Sequence, residues 1–99
     1  LPISGGRLLM VFNDSECSQG GRENLRLAVS DLHGRNWTRI ATLEDTAHVT
    51  SEYPYIIQTR DGFFHIVYSY DIKKIKHLML NEAWIEDRIS KAGQFSLAE

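Results

Sequence analysis

Ninety-nine residues, 42% of them hydrophobic, make one small domain with a modest core. Charged residues are 24% of the chain, 11 basic against 13 acidic, and a net charge of −2 argues against nucleic acid or an anionic membrane as partner. The single cysteine, Cys17, cannot close an internal disulfide, and His33, His48, His65 and His77 show no metal-site spacing on a shared helix or strand pair, so no metal and no cofactor is expected.

The chain opens Leu1-Pro2-Ile3, with neither a methionine nor the basic and apolar regions of a leader. Its natural start is therefore expected elsewhere, and localisation stays open, secretion included. The longest apolar run, Leu8 to Phe12, is far too short to span a bilayer. It predicts a strand over 7–12. A polar loop follows, in which the Cys17 thiol has no histidine or basic neighbour to activate it. Asn13-Asp14-Ser15 and Asn36-Trp37-Thr38 fit the glycosylation sequon, a pattern that chance often produces.

From Asn24 to Ser30 the odd positions, Leu25, Leu27 and Val29, are apolar and the even ones mostly polar or small, which predicts a strand with one face in a core. Further strands are predicted over 37–43, 54–59, 63–70 and 73–80. Between them stand the turn signals Gly5-Gly6, Gly20-Gly21, His33-Gly34, Asp61-Gly62 and Tyr70-Asp71. Asp61-Gly62 is the strongest hairpin signal, because that pair tolerates positive φ. In 63–70 one face carries Phe64, Ile66, Tyr68 and Tyr70. The other carries Phe63, His65, Val67 and Ser69, so the strand can be covered on both sides. The stretch 82–91 mixes Ala83, Trp84, Ile85 and Ile89 with charges and leaves a helix open. Short, evenly spaced strands make the fold all-β: a sandwich, a barrel or a propeller.

Ser30-Asp31-Leu32-His33-Gly34-Arg35-Asn36-Trp37 resembles a degenerate Asp box, Ser-x-Asp-x-Gly-x-x-Trp, the turn motif of sialidase-type β-propellers. Ser30, Gly34 and Trp37 match, and Leu32 stands where the aspartate belongs. Glycine supplies the unusual backbone angle, the polar side chains bond turn amides, and the tryptophan packs beneath. Asp31 is placed to substitute in part for the missing carboxylate. The surrounding order is Arg22-Glu23-Asn24-Leu25, the box, Tyr53-Pro54-Tyr55-Ile56, Asp61-Gly62, Tyr68-Ser69-Tyr70 and Ile75-Lys76-His77. It resembles the last third of the sialidase (neuraminidase) superfamily, in particular its bacterial BNR-repeat members, over residues 7 to about 85.

The resemblance implies a six-bladed sialidase-type propeller, of which this chain covers about the last two blades. Residues 1–99 are then one partial domain. About 1–50 form a blade region with the box, and about 51–99 the last blade region and tail. Two blades cannot close a ring, so the rest is expected from further blades of a longer enzyme or from other copies of the chain.

By the same resemblance Arg22 corresponds to the third arginine of the triad that grips the sugar's carboxylate, and Tyr53 to the nucleophile. A guanidinium forks onto a carboxylate. A neutral phenol escapes the repulsion that the substrate's carboxylate would exert on an anionic nucleophile, but a base must take its proton. Strand alternation points Glu52 away from the Tyr53 hydroxyl, which argues against Glu52 as that base. The family's glutamate, its acid/base aspartate and its other arginines belong to earlier blades. The implied function is thus part of a glycoside hydrolase acting on terminal sialic or related acidic sugars, inactive alone. The alternative is a non-catalytic carbohydrate-binding or scaffold module. Without the resemblance, Arg22 is a surface arginine and Tyr53 a strand-edge aromatic. The sialidase reading requires the two on one face; on opposite faces they would indicate an unrelated β-sandwich. Lys73, Lys74 and Lys76 read as a solvated strand face, Tyr68 and Tyr70 as filling between sheets, and Trp84 as an anchor for the tail.

Overall fold

The computed structural model describes residues 1–14 and 21–98, with side chains through 92; Cys17 and the hydroxyl of the Asn13 sequon lie outside the described residues. After a single 3-10 turn at Ser4–Gly6 come β1 (Leu9–Phe12), β2 (Asn24–Ser30), β3 (Trp37–Asp45), β4 (Ser51–Gln58), β5 (Phe64–Tyr70), β6 (Lys74–Leu80) and α1 (Glu82–Ala98). The strands form two antiparallel meanders, ordered β1-β2-β3 and β4-β5-β6. The fold is all-β with a C-terminal helix. Each sheet has three described strands, one fewer than the four of a propeller blade. No described helix is long and apolar enough to cross a membrane.

The core lies between the sheets. Leu9, Leu25, Leu27, Val29 and Ile40 of the first meet Phe64, Ile66 and Tyr68 of the second, and α1 adds Ile85. Alternation accounts for this face, but β2 departs from the one-sided expectation. As the central strand of its sheet it is covered on both sides, and Asn24, Ala28 and Ser30 are as buried as their apolar neighbours. Strand β5 departs the other way: His65 and Val67 stand on an open outer face with Tyr55, Ile57, Ile75 and Met79.

A buried polar link joins β3 to β5 and β6. Tyr68, 2% exposed, donates its hydroxyl to Glu44 of β3, and Lys76 of β6 donates to the same carboxylate at 2.8 Å. Burial first, then Glu44, raises the Tyr68 pKa, which keeps the phenol protonated as the donor. Lys76, read as part of a solvated face, instead pairs with Glu44 and lies 3.8 Å from the Tyr70 ring centroid.

The undecided stretch after 81 is helical and runs beyond 91, to Ala98. Asn81 caps it by accepting the Trp84 amide at 2.7 Å, and Trp84, Ile85 and Ile89 turn toward the core.

The β5–β6 turn carries a local conflict. Asp71 and Ile72 both have positive φ, 55° and 61°, which is the type I′ arrangement, yet a β-branched side chain fits that region poorly. Ile72 is exposed, so Ile72→Gly removes the strain without opening the core. The expected result is a gain of about 1 kcal/mol in urea unfolding.

Candidate active site

The Asp-box-like turn is built by the neighbouring carboxylate. Asp31 Oδ1 accepts the amides of His33 at 3.0 Å and Arg35 at 3.1 Å, and Oδ2 accepts Asn36 Nδ2 at 2.8 Å. Leu32 stays exposed. Ser30 is buried, accepts the Leu8 amide at 3.0 Å and donates to the Asp31 carbonyl at 2.8 Å. Gly34 has φ 68°, where a Cβ would approach Leu8 Cδ1 to 3.2 Å. Trp37 donates its indole N–H to the Gly34 carbonyl at 3.1 Å. Trp37 is 40% exposed and, beside that bond to the turn, lines an open trough with Leu8 to Val11 and Pro54 to Ile56.

Asn36, then the amides of Arg35 and His33, lower the Asp31 pKa below its ordinary 3.8. A carboxylate depressed in the folded state adds stability above its unfolded pKa and loses it as pH falls through the folded value. Melting temperature is therefore expected to fall below about pH 4, and Asp31→Asn to lower it at pH 7 while flattening that acid slope.

Arg22, Glu52 and Tyr53 meet where the two sheets join. Two asparagines hold the junction. Asn24 bonds the Asp14 amide and carbonyl, at 2.7 and 2.9 Å, while Asn13 Nδ2 donates to the carbonyls of Asn24 and Ser51, at 2.6 and 2.8 Å. The sequon nitrogen of Asn13 is thus engaged inside the fold. The Ser51 amide donates to the Arg22 carbonyl at 2.8 Å, which sets Arg22 beside the start of β4.

There β4 carries an irregularity. Its register passes from Glu52↔Ser69 to Tyr55↔Val67, so Tyr53 and Pro54 form a bulge, and Tyr53 takes a left-handed φ of 52°. For a bulky residue ahead of proline this is strained by about 1–3 kcal/mol. Burial still alternates across the bulge, with Glu52 turned inward and Tyr53 outward. Both touch one guanidinium: Glu52 Oε2 lies 2.7 Å from Arg22 Nη1, and Arg22 Cζ lies 5.3 Å from the Tyr53 ring centroid. Tyr53, then Glu52, raises the Arg22 pKa further.

Tyr53 is 69% exposed, whereas the Glu52 side chain is 15% exposed. The site therefore presents a phenol beside a fixed, charged guanidinium whose inner flank is held by a carboxylate. Glu52, Asn13 and Asn24 were not selected as site residues from sequence, and only the Tyr53-Pro54 pair, an awkward step within a strand, hints at the bulge. Among the described residues no group of three or more His, Cys, Asp or Glu side chains is arranged to hold a metal ion.

A family model described as a BNR repeat-like domain matches residues 1–66, two-thirds of the chain, which takes in the Asp-box-like turn, Arg22 and Tyr53. No curated protein and no solved structure matches the chain. With its all-β meanders and that match, the chain belongs to the BNR repeat-like domain family.

Proposed function

We propose that the chain supplies part of the active site of a sialidase-like glycoside hydrolase, built as blades of a propeller and acting on a terminal acidic sugar. The observation that carries this reading is the contact between Arg22 and Tyr53, far apart in sequence and placed together by a bulge that strains Tyr53. Strain kept in an exposed tyrosine beside a cation is the kind that functional sites retain. In this reading Arg22 binds the sugar's carboxylate through its remaining N–H groups, and Tyr53 attacks the anomeric carbon as that carbon's bond to the aglycone oxygen breaks. The aglycone oxygen takes a proton from an acid on a neighbouring blade, and water later releases the sugar from Tyr53. The proton of Tyr53 passes to a base from a neighbouring blade. A complete set of groups requires those further blades, so this segment alone is expected to be inactive.

The Arg22–Glu52 ion pair favours a second reading, a carbohydrate-binding module without catalysis, because a guanidinium already satisfied on one flank holds an anion less strongly. The natural polypeptide carrying this segment, captured by antibody and given a chromogenic α-sialoside, separates the two. Release of the chromophore supports the hydrolase. Saturable sugar binding without release supports the module, and neither response refutes both.

A further inference from the structure

On the outer face of β5 and β6, well apart in sequence from the residues above, two imidazoles face each other. The register pairs His65 with Met79 and Val67 with His77, so the two histidines are diagonal neighbours across the hairpin. The sequence showed no such strand pair, because the offset is defined only once the hairpin register is known. His65 Nδ1 lies 2.9 Å from His77 Nε2. The ring planes are 1° apart with centroids 5.1 Å apart. With the nitrogens in contact, that separation places the rings edge to edge in one plane, with one proton between them.

The remote side of His65 is anchored. Its Nε2 lies 3.2 Å from Thr59 Oγ1, which in turn lies 2.5 Å from Asp61 Oδ1. With the hydroxyl donating to Asp61, its lone pair accepts the His65 Nε2–H, and the His65 Nδ1 lone pair is left facing His77. Metal-binding histidines are oriented in this manner, the distal N–H donated toward a carboxylate network. His77 is exposed, so its ring can swing. The pair lines an open apolar recess of about 270 Å³ with Tyr55, Ile57, Thr59 and Val67.

We propose that His65 and His77 form a two-histidine site for a divalent transition metal, Cu²⁺ foremost, which replaces the proton they share. Imidazole suits copper, nickel and zinc, and copper(II) binds most strongly of these. Bonds of about 2.0–2.1 Å meeting at a right angle leave two nitrogens about 2.8–3.0 Å apart, whereas the tetrahedral angle of zinc requires about 3.3–3.4 Å. The observed 2.9 Å is a hydrogen-bond separation with the two nitrogens aimed at one another, so the pair reaches the square-planar bite only when the His77 nitrogen moves aside. His65 stays held by Thr59, and the exposed His77 side chain makes that movement by rotating about its own bonds until its lone pair meets the ion. Because no third protein ligand joins the pair among the described residues, water fills the other positions. Binding displaces protons and is lost in acid.

The test is titration of the metal-free 99-residue chain with Cu²⁺, followed by calorimetry and electron paramagnetic resonance. One ion per chain, with hyperfine splitting from two equivalent nitrogens, is expected. His65→Ala and His77→Ala should each weaken uptake by more than about tenfold, and Thr59→Val by about 10–100-fold through loss of the orienting bond. The pair His33→Ala and His48→Ala should leave it unchanged. Absence of saturable uptake, or uptake that survives the His77→Ala change in a chain with unaltered circular dichroism, overturns the proposal. His77 lies on the surface, so its removal leaves the fold intact.

Discussion

Tyr53→Phe is expected to reduce sialoside hydrolysis by the natural polypeptide by about 10³-fold or more while leaving sugar binding within a few-fold. The phenylalanine ring preserves the volume, the strained backbone and the ring's contact with Arg22; the attacking oxygen is lost, and with it its hydrogen bond to Arg22. Arg22→Lys is the complementary change. It keeps a cation but removes the fork, so its effect should appear mainly as weaker binding, read as a rise in KM of about tenfold. If Tyr53→Phe leaves kcat unchanged, Tyr53 is not the nucleophile, whatever Arg22 does.

Tyr68→Ala is expected to cost about 3–5 kcal/mol, a large share of the stability of a domain this size. Tyr68 is among the largest fully buried side chains and reaches across the core to Glu44, so its removal opens a cavity and cuts the polar tie between the sheets. Tyr68→Phe separates the two effects. It keeps the ring and leaves Glu44 paired with Lys76, and should cost only about 1–2 kcal/mol. Urea unfolding of both variants checks this: equal costs would mean that the hydroxyl, not the ring, holds the sheets together.

The strands were legible because alternation and turn residues agree over short spans, as in Phe64, Ile66 and Tyr68 between Asp61-Gly62 and Tyr70-Asp71. Burial of the second face of β2 was not legible, since coverage of Asn24 and Ala28 depends on neighbours distant in sequence. The helical tail was ambiguous because its apolar positions are sparse and its stability comes from docking Ile85 rather than from local pattern. At the site, Arg22 and Tyr53 stood out only through the resemblance. The contact of Glu52 with Arg22 was not legible, because it depends on the junction that sets Arg22 beside the start of β4, and the bulge at Tyr53-Pro54 is defined only by the pairing with β5. The role of Asp31 in the turn was closer to hand. A carboxylate one residue before the expected position can still reach the amides of His33 and Arg35, because the turn folds back over it.

Covalent trapping tests the catalytic reading most directly. The natural polypeptide is incubated with a sialoside that carries fluoride as leaving group and a second fluorine beside the anomeric carbon, which slows release of the glycosyl-enzyme intermediate. Mapping of the digest by mass spectrometry should place the sugar on Tyr53, with no label in Tyr53→Phe. A label on a carboxylate, or hydrolysis of the ordinary sialoside with no label on Tyr53, would contradict the account.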